Sequence, residues 1–105
     1  VNNSMIQLYA EEIRMDFQPG DAVLSKAGRD KGKVFVILAV REPDYIALAD
    51  GDLRKIENPK LKKVKHVRHT GIQLPSIVEM INAGERISNS AIRKALDIVR
   101  KNGVT

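Results

Sequence analysis

The chain has 105 residues and a formal net charge of +5, with 30% charged and only 4% aromatic residues. That length suits one domain with a modest core, and aliphatic side chains must build it. Cysteine is absent, which excludes disulfides, thiolate nucleophiles and zinc ribbons together, and no apolar run approaches the length of a membrane span or opens the chain as a signal peptide.

Residues 1–14, VNNSMIQLYAEEIR, stand apart from the rest of the chain, and two readings are open for them. Glu11-Glu12, just before Met15, can be encoded by purine-rich codons that look like a ribosome-binding site ahead of a start codon, so the natural protein would begin at Met15 and the segment would be upstream or appended sequence. Alternatively Ile6, Tyr9 and Ile13 form one face of an amphipathic helix.

A turn at Pro19-Gly20 then leads into a short predicted strand from Asp21 to Ser25. The loop Gly28-Arg29-Asp30-Lys31-Gly32 comes next, followed by seven apolar residues, Val34 to Val40, that suit a pleated, half-buried surface. Gly28 and Gly32 are expected to fix a sharp path between the strands, and Asp30 to bond its own loop backbone. The cations Lys26, Arg29, Lys31 and Lys33 are left free to point outward.

Glu42-Pro43-Asp44 is a turn, since proline cannot continue a central strand. Tyr45 to Ala49 is a third strand, and Asp50-Gly51 signals a type I′ hairpin into a fourth, Leu53 to Ile56. Glu57-Asn58-Pro59 breaks it, and Val64 to Val67 is a fifth. Five short strands joined by tight turns suit a small barrel, which disposes of its sheet edges by curling on itself. The expected core is Val23, Val34, Val36, Leu38, Ile46, Leu48, Leu53, Val64 and Val67.

From Leu74 the period changes. Pro75 opens a helix with Ile77, Val78 and Ile81 on one face, and Gly84 follows it. A second helix starts after an N-cap at Ser88 or Asn89 and carries the stripe Ala91, Ile92, Ala95, Leu96 and Val99 up to Gly103. Two such helices must bury their faces on each other and the barrel, or on a partner.

The stretch Pro19-Gly20-Asp21-x-Val23, then Lys26-Ala27-Gly28-Arg29-Asp30-Lys31-Gly32, then an apolar strand resembles a KOW motif. The downstream Ala49-Asp50-Gly51-Asp52-Leu53-Arg54-Lys55 and Pro59-Lys60-Leu61-Lys62-Lys63 are similar to one branch, the bacterial KOW-domain RNA-binding proteins that resemble archaeal and eukaryotic large-subunit ribosomal proteins. The likeness covers roughly residues 16–70. Val34 and Phe35 stand where many KOW motifs carry a further glycine, which fits that branch better than the NusG-type elongation factors. The resemblance implies a mainly β fold, a small five-stranded SH3-like barrel over residues 15–70 followed by two short C-terminal α-helices in residues 71–105. It also implies a ribosome-linked, cytoplasmic role in assembly or translation.

Charge placement agrees with a polyanion partner. Residues 51–70 hold Arg54, Lys55, Lys60, Lys62, Lys63, Lys65 and Arg68 against Asp52 and Glu57 alone. From Lys60 to His69 no acid interrupts the run, whereas solvated faces usually mix signs. The candidate RNA contacts are therefore Lys26, Arg29, Lys31 and Lys33 of the loop, with Arg54, Lys55, Lys60, Lys62, Lys63, Lys65, His66 and Arg68. A bland reading competes, in which the lysines merely guard an edge strand. His66 and His69 lack the cysteine or carboxylate company of a metal site, and no serine or threonine stands in a catalytic motif. The expectation is a non-enzymatic binder of structured RNA, above all ribosomal RNA, read by shape, with no metal, cofactor, membrane or small-molecule substrate. The rival is a protein-interaction module that docks on RNA polymerase or a ribosomal protein through the barrel and the C-terminal helices.

Overall fold

The computed structural model describes residues 17–103, so both readings of residues 1–14 fall outside the described residues. Five strands form one antiparallel sheet: β1 (Asp21–Ser25), β2 (Val34–Arg41), β3 (Tyr45–Ala49), β4 (Lys60–Lys63) and β5 (Val67–Gln73), in the order β4-β3-β2-β1-β5. Two helices follow, α1 (Pro75–Asn82) and α2 (Asn89–Lys101). The fold is thus mainly β, a small barrel-like sheet with two C-terminal helices. No helix among the described residues is long and apolar enough to cross a membrane.

Side chains alternate across a strand, and here both faces of the central strands are covered. Val23, Phe35, Ile37, Ile46, Leu48 and Val67 point inward and fill the rolled sheet. Ala22, Val34, Val36 and Ala49 point outward and meet Leu74, Ile77, Ile92, Ala95, Leu96 and Val99 of the helical segment. Burial on both faces is why β2 reads as an unbroken apolar run rather than an alternation. Leu38 is the extra residue where the β2–β3 register shifts between Ile37 and Ala39; such a bulge bends a strand and increases its twist. The helices keep their expected signals. Pro75 occupies the first turn of α1, and the Ser88 hydroxyl caps α2 by accepting from the Ala91 N–H at 3.0 Å.

Three expectations fail between residues 50 and 67. No strand forms over Leu53 to Ile56, and Leu53, assigned to the core, is 72% exposed. Asp50 has a negative φ, so Asp50-Gly51 is not a type I′ turn. Instead the Asp50 carboxylate accepts from the N–H groups of Asp52 and Arg54 at 2.9 and 2.8 Å, and the Asp50 N–H donates to the Arg54 carbonyl at 2.8 Å. The side chain closes a tight local loop, as aspartate does when it competes with a strand ladder for backbone groups. The fourth strand is the lysine run itself, Lys60–Lys63, which pairs with β3 as Tyr45↔Lys63, Ile46↔Lys62, Ala47↔Leu61 and Leu48↔Lys60. Val64 to His66 is one turn of 3₁₀ helix rather than the start of a fifth strand, leaving Val64 half-buried. The fifth strand runs from Val67 to Gln73, past residue 70 where the barrel was expected to end.

Candidate nucleic-acid interface

The loop between β1 and β2 is held from within by its own backbone. Ser25 N–H donates to the Lys33 carbonyl at 3.0 Å, Gly32 N–H to Ser25 at 2.9 Å and Lys31 N–H to Gly28 at 3.2 Å. Gly28 and Gly32 have φ values of +75° and +86°, so both glycines are there for geometry.

Two straps tie this loop to distant parts of the chain. Lys62 stands opposite Ile46 and so shares its inward side. From there its ammonium reaches across to Ser25 Oγ and the Ala27 carbonyl, both at 2.7 Å. The second strap is Arg54, positioned by the Asp50 turn, whose guanidinium donates to Asp30 Oδ2 at 3.1 Å. Asp30 is buried, and its carboxylate serves Arg54 instead of bonding its own loop. Arg54 Nε is itself buried without a hydrogen-bond partner, a donor left unsatisfied at about 1–3 kcal/mol. A backbone bond from Lys26 N–H to the His66 carbonyl, 2.8 Å, fastens the loop base to the 3₁₀ turn.

These ties open a groove of about 580 Å³ between the loop and β4. Its lining includes Arg29 and Asp30 from the loop, Tyr45 from β3, Arg54, Lys60, Leu61, Lys62 and Lys63, and His66. Arg29 alone of the loop cations and Lys60, Lys62 and Lys63 of β4, separated by some thirty residues in sequence, therefore border one concavity. Their roles within it differ. Lys62 and Arg54 hold the loop, Lys63 rests with its ammonium 5.7 Å from the centre of the Tyr45 ring, and Arg29 and Lys60 are exposed. Lys26, Lys31, Lys33, Lys55, Lys65 and Arg68 are exposed but do not line the groove. β4 lies at the edge of the sheet order, so its lysines also serve to discourage strand addition.

The histidines part company. His66 borders the groove. His69 is structural: its Nε2 donates to the buried Asp21 carboxylate at 2.9 Å, its Nδ1 accepts from the Gly71 N–H at 2.8 Å, and its ring lies 6.0 Å from that of Phe17. Sequence reasoning passed over Tyr45 and Leu61 as site residues. Their signal was the pairing of Tyr45 with Lys63, which is invisible until β4 is assigned to the lysine run.

No family model matches this chain. Among curated proteins it is similar to the B subunit of the aspartyl/glutamyl-tRNA(Asn/Gln) amidotransferase of Clostridium botulinum. The protein of strain Loch Maree is 34% identical over 86 residues, 79% of this chain and 18% of the relative. That of strain Hall is 33% identical over the same length. The chain thus spans less than a fifth of the relatives it matches.

Proposed function

We propose that this chain is an RNA-binding protein of the KOW type that grips the phosphates of structured RNA, ribosomal RNA first, through the groove between the β1–β2 loop and β4. The observation that carries this reading is the convergence of Arg29 with Lys60 and Lys63 on one concave surface. Cations gathered on a fixed concavity neutralise several phosphates at once and release their counterions. The bound roles of Lys62 and Arg54 refine the picture, for they pre-set the loop that carries Arg29. The relatives are named for an amidotransferase of tRNA, which is in keeping with an RNA partner here.

Docking on a protein through the helices has less support. The stripe of α2 is covered by the chain's own sheet, with Ile92, Leu96 and Val99 fully buried.

Titration of fluorescently labelled ribosomal RNA fragments, at increasing potassium chloride, tests the proposal. Affinity should drop steeply with salt, and the double change Lys60→Glu and Lys63→Glu should lower it by about ten-fold or more. Absence of binding at low ionic strength would remove the proposal. Crosslinking in cells followed by sequencing of the bound RNA would then identify the site.

A further inference from the structure

We infer that the groove receives a single unpaired nucleotide extruded from structured RNA, its base against Tyr45 and Leu61 and its flanking phosphates on Arg29 and Lys60; this rests on the RNA-binding reading above. A surface meant for duplex phosphates alone needs only cations. This groove also has apolar walls, provided by Ala27, the Tyr45 ring and Leu61. Leu61 is 54% exposed, one of three large hydrophobic side chains so placed among the described residues, and it is the one that borders the groove. It offers an apolar surface on which a base can rest.

Size and charge fit the same occupant. A groove of about 580 Å³ lies within the range of small-molecule sites. Bases turned out of a loop or bulge are recognised by stacking on aromatic side chains with hydrogen bonds at their edges, and every base offers an apolar face. Lys63 stands over the Tyr45 ring and brings a positive charge to the same wall, where it meets the electron-rich edge of a base or its phosphate. The rigid loop supports this use. Because Lys62 and Arg54 fasten it, the distance between Arg29 and β4 is set before RNA arrives.

The test compares two RNA hairpins that share one stem, one fully paired and one with a single-nucleotide bulge. The bulged RNA should bind about ten-fold tighter to the wild-type protein, the effect of one stacked base. Tyr45→Ala should bring the bulged hairpin to the affinity of the paired one, and Tyr45→Phe should keep the preference. Leu61→Ser, at an exposed position that does not carry the fold, should reduce the preference as well. A 2-aminopurine placed at the bulge should change its fluorescence on binding to the wild type and not to Tyr45→Ala. Equal affinity for the two hairpins would overturn the nucleotide pocket while leaving RNA binding intact. A preference that persists in both Tyr45→Ala and Leu61→Ser would also overturn it, since the base would lie elsewhere. If neither hairpin binds at low salt, the RNA reading itself is overturned and this inference with it.

Discussion

Lys62 and Ser25 belong to strands three places apart in the sheet order, β4 and β1, yet the lysine Nζ lies 2.7 Å from the serine Oγ. A flat sheet would hold them about 14 Å apart, three strand spacings. The contact exists because the sheet rolls up, and the 3₁₀ turn Val64–His66 carries the chain from one edge strand to the other. Lys62, expected from the sequence to contact phosphate, is the clasp of the barrel.

Lys62→Met keeps the aliphatic stem and removes the ammonium. It should destabilise the protein by about 2 kcal/mol, because Ser25 is 1% exposed and two charge-assisted hydrogen bonds disappear. Lys60→Met, at an exposed position on the same strand, should stay within about 0.5 kcal/mol of wild type. Urea denaturation of the two variants checks the contrast, and equal stability would show that the clasp contributes nothing.

The Asp30–Arg54 pair joins the loop to the turn after β3, with side chains 9% and 32% exposed. A double-mutant cycle using Asp30→Ala and Arg54→Ala should give a coupling of about 1 kcal/mol, less than a fully buried pair because Arg54 is partly solvated. Additive single changes would mean that the two ends of this strap act independently.

Gly51 is needed twice over. Its φ is +78°, and a Cβ there would collide with the Asn89 carbonyl oxygen at the start of α2, while its own carbonyl accepts from Arg93 Nη1 at 2.6 Å. Gly51→Ala should therefore cost about 3 kcal/mol or more. Gly32→Ala, with φ +86° and nothing near the new methyl group, should cost about 1 kcal/mol from backbone conformation alone. Thermal melts that rank the two in the reverse order would contradict the close approach of the helix.

Leu96→Ala should lose about 3 kcal/mol by leaving a cavity between α2 and the sheet, where Leu96 is wholly buried. Loss of any binding in this variant would report unfolding as readily as a lost docking surface. Its stability by denaturant titration therefore has to be known first, and a stable variant would mean that α2 packs only loosely.

Glu57 accepts both hydrogen bonds of the Asn89 Nδ2 group, at 3.1 and 2.9 Å, and this interaction, aided by backbone bonding and nearby Lys55 and Arg86, lowers its pKa. A depressed carboxylate stabilises the folded state above its unfolded pKa and loses that contribution as pH falls through the folded value. The melting temperature of the wild type should thus fall slightly more on acidification below the ordinary carboxylate range than that of Glu57→Gln. The increment is small because the group is solvated. Parallel acid profiles for the two proteins would exclude the contribution.

Much of the fold was legible because its signals are local. The strands Asp21–Ser25 and Tyr45–Ala49, Pro75 at the first turn of α1 and Ser88 as the cap of α2 each depend on residues within a few positions of one another. Leu53 to Ile56 misled for the opposite reason. Its apolar ends suit a strand, but the Asp50 carboxylate captures the backbone N–H groups that a strand would have used. The lysine run was legible as a charged patch and opaque as a strand, since the alternation of Lys60-Leu61-Lys62 breaks at Lys63 and is too short to be a signal.

By itself, then, the sequence determined a small, mainly β chain with two amphipathic helices and two clusters of cations, because periodicity, turn chemistry and charge are written along the chain. Only the tertiary structure decided which cations stay exposed and which hold the scaffold. Lys60 and Lys62 are the same residue type two positions apart, and one is exposed while the other is anchored on Ser25 and Ala27. Both stand on the same side of β4, opposite Ile46 and Leu48, and the difference comes from the rolling of the sheet, which brings the end of β1 to the level of Lys62; no local pattern encodes a distance across a barrel.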